Sequence, residues 1–132
     1  MGAWGVAAFD NDDASDWAYE LENTEGEGFL ADTFAAVIDA AEDAYLDLGE
    51  AAPAVAAAET VATMAGRAGA SVSDAVAAWA RAQGEPSSAI RALAHAAIAR
   101  VRRASELKDL WEESESYDEW LASLDSLEAR IG

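Results

Sequence analysis

The sequence predicts an all-α fold, a compact single-domain bundle of five to seven helices, from three observations. Alanine supplies 35 of the 132 residues, against 2 prolines and 9 glycines, and alanine has the highest helix propensity. Apolar side chains recur at intervals of three and four, and nothing alternates with period two for more than a few residues. The length is that of one domain, so residues 1–132 are expected to fold as a unit.

The first two helices are predicted from caps and apolar stripes. Three polar residues at 10–12 offer N-caps for a short helix over about 12–23. The second helix is expected over about 29–48, because its apolar side chains follow one stripe and its acidic side chains lie off it. That stripe comprises Leu30, Phe34, Val37, Ile38, Ala41, Tyr45 and Leu48. Gly49 can cap its end.

The third helix is expected to be central in the bundle. Pro53 suits its first turn, Gly66 follows its end, and Glu59 is the one charged residue between them. A helix that is apolar nearly all round is usually surrounded by other helices. A capping box at residues 71–74 predicts the start of a fourth helix.

The rest of the chain predicts two or three more helices. Pro86 opens the fifth, which either continues to residue 113 or ends before a sixth segment capped by Ser105. A second capping box at 116–119 starts the last helix. The second, third and fifth helices are expected to form the core. The side chains expected to be largely buried are Leu30, Val37, Ile38, Tyr45, Val61, Ile90, Leu93, Ile98 and Val101.

Charge and composition exclude several classes of function. The net charge is −18, and residues 1–66 carry fifteen acids and no base, so neither nucleic acid nor an anionic membrane is an expected partner. There is no cysteine, and no apolar run reaches the length of a membrane span or a signal peptide, so the expected location is the cytoplasm. The acidic run at 10–16 lacks the spacing of a calcium loop. No metal and no cofactor are expected.

Glu59 is the first candidate site. A carboxylate in a buried, alanine-rich helix is costly unless it is paired, and the expected partners are Arg91, His95 and Arg102 on the fifth helix. One interpretation is a buried ion pair that fixes the register of the helices. The alternative is a carboxylate with a raised pKa in a pocket, where it would act as a general acid or base.

An acidic surface is the second candidate site. The outer side of the second helix and the start of the first are expected to form one negative face. Its residues are Asp12, Asp13, Asp16, Asp39, Asp43 and Asp47. Trp4, flanked by glycine outside the helices, is expected to fill a groove or to contact a partner.

Several blocks of the sequence resemble one family. They are MGAWG at 1–5, FDNDDA at 9–14 and DW at 16–17, with later blocks at 57–59, 105–111 and 119–121. Together they resemble a family of small bacterial proteins of the domain-of-unknown-function type, which typically opens M-G-x-W-G-x-x-x-F-[DE]-N-D-x-A-x-D. The resemblance implies a cytoplasmic bacterial domain and assigns no catalytic residue.

Three functions remain open from the sequence. The first is a non-catalytic module, similar to an immunity protein or an inhibitor, that binds a basic protein through its acidic face. The second is a ligand-binding or enzymatic domain with Glu59 in a pocket. The third is a structural or oligomerisation module whose acidity serves solubility. The sequence contains no phosphate loop, nucleophile elbow or paired-histidine metal motif.

Overall fold

The computed structural model describes residues 5–41, 43–70 and 72–132. These residues form seven helices and no strand, which confirms the all-α prediction. The helices are α1 (Asp12–Leu21), α2 (Gly28–Ile38), α3 (Leu48–Met64), α4 (Asp74–Gln83), α5 (Ser88–Arg103), α6 (Glu106–Glu112) and α7 (Tyr117–Ile131). Within those ranges, no helix combines the length and the apolar character needed to cross a bilayer.

Helix α3 is the centre of the bundle and packs against each of the other six helices. Its buried side chains surround the axis rather than forming one stripe, and most of them are alanines. Small side chains let neighbouring helices approach closely. The outer helices bury one stripe each against it, so the core is continuous through the molecule.

The second helix ends at Ile38, and the prediction that it runs to residue 48 is wrong. Residues 39–47 connect α2 to α3, and Leu46 is buried there. Contacts from distant helices hold this connection. The Arg100 guanidinium donates to the carbonyls of Ala40 and Ala44, at 3.1 and 2.9 Å. These tertiary hydrogen bonds override the helical spacing of the local sequence.

The early start of α3 changes the roles of two residues. Gly49 lies in the first turn of α3 and does not cap α2, and Pro53 lies in the second turn. Because proline has no N–H, the Gly49 carbonyl lacks the hydrogen bond that residue 53 would otherwise donate.

The predicted core is mostly confirmed. Leu30, Val37, Val61, Ile90, Ile98 and Val101 are buried. Ile38 and Leu93 are partly buried and pack against the core. Tyr45 is 63% exposed, and its predicted burial is wrong because the connection at 39–47 turns its side chain outward.

The helix starts follow the expected chemistry in part. Asn11, Ser73, Ser87 and Ser105 each accept a backbone N–H of the following helix. Ser105 thus begins a separate helix, and residues 86–113 form two helices rather than one. Ser71 lies outside the described residues, and Ser73 is the N-cap of α4. Ser116 makes no side-chain capping bond, so the second capping box is not formed.

Candidate functional site

Glu59 is buried and paired. It is 3% exposed, and its two carboxylate oxygens face the guanidinium of Arg130 on α7. Arg130 Nη1 lies 2.5 Å from Oε2, and Nη2 lies 3.0 Å from Oε1. The Gly69 N–H also donates to Oε2, at 2.9 Å. Such a bidentate, charge-assisted pair is among the strong hydrogen-bonded contacts in proteins.

The surroundings of Glu59 favour a structural role. A Cβ at position 69 would lie 2.5 Å from Glu59 Oε1, so a larger residue there would displace the Glu59 carboxylate from its present position. The adjacent cavity measures about 100 Å³, and both Glu59 oxygens are already engaged. The carboxylate therefore joins α3, the loop after it and α7.

The predicted partners of Glu59 are wrong, because all three contact other groups. Arg91 donates to the carbonyl of Ile131, and His95 Nε2 lies 3.1 Å from the Gly132 carbonyl. Arg102 pairs with Asp125 at 2.8 Å and with Glu128 at 3.3 Å. No local pattern indicates Arg130, which is 71 residues from Glu59.

An open groove of about 410 Å³ lies where α1, α2 and the start of α3 meet. Two helix faces with the same spacing form its sides. Helix α1 contributes residues 13, 16, 17 and 20, and α2 contributes residues 29, 32, 33 and 36. Residues at these intervals share one face of a helix. Gly49, Glu50 and Pro53 of α3 close one end.

Aromatic side chains form the floor of this groove. The rings of Trp17 and Phe29 are stacked, with centroids 5.5 Å apart and planes 15° apart. Trp17 Nε1–H donates to the Thr33 hydroxyl at 2.9 Å, and that hydroxyl donates to the Phe29 carbonyl. Trp17 is buried whereas Phe29 is only partly buried. The floor is therefore fixed in orientation, and Phe29 presents apolar surface to the groove.

The rim of the groove is negative. Its acidic residues are Asp13, Asp16, Glu20, Asp32 and Glu50. Among the described residues that line it, none is lysine, arginine or histidine. Adjacent carboxylates make the electrostatic potential in the groove more negative, and the low-dielectric walls of the groove focus this field. The groove is thus suited to a cationic ligand with an apolar part.

The predicted acidic face is divided between two places. Asp13 and Asp16 line the groove, and Asp12 is exposed on the same turn of α1. Asp39, Asp43 and Asp47 do not share a helix face, because they lie in the connection between α2 and α3. Trp4 lies outside the described residues. The predicted acidic face does not include Glu20, Asp32 and Glu50, although Asp32 lies on the polar side of the predicted stripe.

A second cleft lies on the other side of α1. It measures about 450 Å³ and is lined by Phe9, Asp10, Ser15, Ala18, Tyr19, Glu22, Ser73 and Ala75. Tyr19 is 72% exposed there. Among the described residues that line this cleft, two are acidic and no stacked pair of rings is present, so the first groove has the stronger claim as a binding site.

Fold and groove together define a small all-helical domain with an acidic, aromatic-floored surface groove. The chain belongs to the family described as Domain of unknown function (DUF4259), whose match covers residues 2–123. Glu59 and the whole groove fall inside that match, and Arg130 falls beyond it. No curated protein and no solved structure matches the chain.

Proposed function

We propose that this protein is a non-catalytic binding module, similar to an immunity protein or an inhibitor, that engages a basic protein partner through the groove between α1, α2 and α3. The observation that carries the proposal is the five acids around one aromatic floor. Charge complementarity of this kind steers association and sets specificity. The aromatic floor supplies the desolvated contact that stabilises an interface after encounter.

The proposed setting is the cytoplasm of a bacterium. Support comes from the N-terminal block of residues 1–17, which resembles the opening of a family of small bacterial proteins, and from the absence of cysteine.

An enzymatic function centred on Glu59 has less support. A general acid or base must reach a substrate proton, whereas the Glu59 oxygens contact Arg130 and the Gly69 N–H. The adjacent cavity of about 100 Å³ is small for a substrate.

Charge reversal at the rim tests the proposed function. The triple variant Asp16→Lys, Asp32→Lys, Glu50→Lys should lose capture of the basic partner from a lysate of the native host. A matched variant, Asp118→Lys, Glu119→Lys, Asp125→Lys on α7, changes the net charge equally and should retain capture. Association measured by stopped flow with the captured partner should slow steeply as salt is raised, since salt screens exposed charges.

Equal loss of capture in the two triple variants would reduce the effect to bulk charge. Full capture by the groove variant would show that the partner binds elsewhere. Either result would end the proposal that the groove is the binding site.

A further inference from the structure

We propose that the groove holds the side chain of an arginine presented by the partner, with the guanidinium stacked on Phe29 and bonded to the acidic rim. This inference rests on the proposed function and specifies the chemistry of its contact. Three features of the groove lining support it: the stacked ring, the carboxylates that line the groove with it, and the backbone of Gly49 at one end.

The ring favours a flat cation. Phe29 is partly buried and backed by the stacked Trp17 ring, so one face of Phe29 is already desolvated and its plane is fixed. A cation over an aromatic face is attracted by the ring quadrupole, and arginine is found there more often than lysine. The guanidinium can stack flat on the ring while its N–H groups point to the sides.

Two of the rim carboxylates belong to residues next to the two stacked rings or one helical turn away from them. Asp32 follows Phe29 by one turn of α2, and Asp16 precedes Trp17 on α1. Side chains three residues apart on a helix lie on the same face. The planar fork of a guanidinium matches a carboxylate with two parallel hydrogen bonds, which an ammonium cannot do.

The end of the groove adds a backbone acceptor. Gly49 has no side chain, so its backbone atoms are what line the groove there. Pro53 cannot donate to the Gly49 carbonyl, and that oxygen can accept an N–H from a guanidinium or from the peptide that carries it. The groove lining therefore combines carboxylate acceptors and a backbone acceptor with an aromatic surface.

A pair of short peptides tests the assignment on the intact chain. Acetyl-Gly-Arg-Gly-amide is titrated against the protein, with the neutral citrulline peptide as an isosteric control, and the Trp17 indole N–H is followed by NMR. The arginine peptide should shift this signal saturably. It should bind at least about tenfold more tightly than the citrulline peptide, because loss of one charge-assisted contact typically weakens binding by that factor. A lysine peptide should bind more weakly than the arginine peptide.

Matched variants separate stacking from charge. Phe29→Leu keeps every carboxylate and should weaken the arginine peptide about fivefold, whereas Tyr19→Leu removes an exposed ring elsewhere on α1 and should not change binding. Asp32→Asn, at an exposed position, should also weaken it. Circular dichroism establishes that each variant is folded.

Three results would overturn the inference: equal affinity for arginine and citrulline, equal affinity for arginine and lysine, or unchanged binding in folded Phe29→Leu. These outcomes differ from failure of the proposed function. If partner capture depends on the rim acids but the peptide does not bind, only the arginine assignment is wrong. If the peptide binds as expected but capture does not depend on the rim acids, the groove binds arginine but not the captured partner, and the proposed function is wrong.

Discussion

The two members of the Glu59–Arg130 pair differ in their access to water. The side chain of Glu59 is 4% exposed, whereas that of Arg130 is 24% exposed. A charge left buried without a partner is far more costly than one that can rehydrate. Loss of the arginine should therefore destabilise the fold more than loss of the carboxylate charge.

Substitution of this pair gives a quantitative prediction. Arg130→Met strands the buried carboxylate and should lower the free energy of unfolding by about 3–5 kcal/mol. Glu59→Gln leaves an arginine that can reach solvent and should cost only about 1–3 kcal/mol. Urea denaturation measures both values, and a larger loss for Glu59→Gln would contradict this assignment of burial.

Tyr45 shows an effect of local charge on an exposed group. Its hydroxyl donates to Asp109 Oδ2 at 3.4 Å. Loss of hydration, together with the nearby carboxylates of Asp109 and Glu106, raises the pKa of the Tyr45 phenol above its ordinary 10.0. The neutral phenol is therefore favoured in the folded state. Its contribution to stability is complete below pH 10 and is lost as the pH rises through the raised pKa.

The phenolate absorbance of the folded protein measures this shift. Tyr45→Phe should remove a titration step that occurs above pH 10. Asp109→Asn should move that step to lower pH, because one of the charges that opposes ionisation is gone. An unchanged midpoint in Asp109→Asn would mean that Asp109 does not influence Tyr45.

Among the elements, the connection at 39–47 depends most on tertiary contacts. Arg100 is 4% exposed and donates to three carbonyls, those of Ala40, Ala44 and Ala104. From the other side, Glu106 accepts the Leu48 N–H and donates its own N–H to the Leu46 carbonyl. These contacts fix the junction of α2 and α3.

Removal of the guanidinium tests this role. Arg100→Met should cost at least about 2 kcal/mol of stability, because several backbone acceptors lose their donor. Hydrogen exchange of the amides at 39–47 should become faster. Arg102→Met removes the surface ion pairs of Arg102 with Asp125 and Glu128 and should cost under about 1 kcal/mol. Similar losses in the two variants would argue against Arg100 as the residue that holds the connection.

This connection also shows where the sequence is informative and where it is not. Caps such as Asn11 and Ser105, and stripes such as that of α5, involve residues a few positions apart, so local spacing predicts them. The end of α2 is determined by Arg100, some sixty residues away. No local pattern contains that information. The helical spacing of apolar residues continues through Tyr45, although α2 has already ended.

The candidate sites divide in the same way. Burial of Glu59 followed from its alanine-rich surroundings, but its pairing with Arg130 depends on how α7 lies against α3. Two acids of the groove, Asp13 and Asp16, belong to the predicted acidic face, but the groove itself depends on how α1 packs beside α2. The position of Glu50 at the groove could not be predicted, because it depends on where α3 begins.

At the scale of the whole molecule, a net charge of −18 opposes the compact state. We expect the melting temperature to rise by roughly 4 °C between about 10 mM and 0.5 M sodium chloride, since salt screens this repulsion. The variant Asp39→Asn, Asp43→Asn, Asp47→Asn should melt higher at low salt and respond less to added salt. A melting temperature that falls with salt would indicate that attractive ion pairs dominate.

The central position of α3 has a consequence for how this protein can diversify. Any larger side chain in place of an alanine of α3 would clash with a neighbouring helix. Helix α3 therefore tolerates few substitutions. The groove acids Asp16, Glu20 and Asp32 stand instead at exposed positions of outer helices, where substitutions cost little stability. The charge and shape of the groove rim can therefore change through a few substitutions while an unaltered α3 maintains the fold.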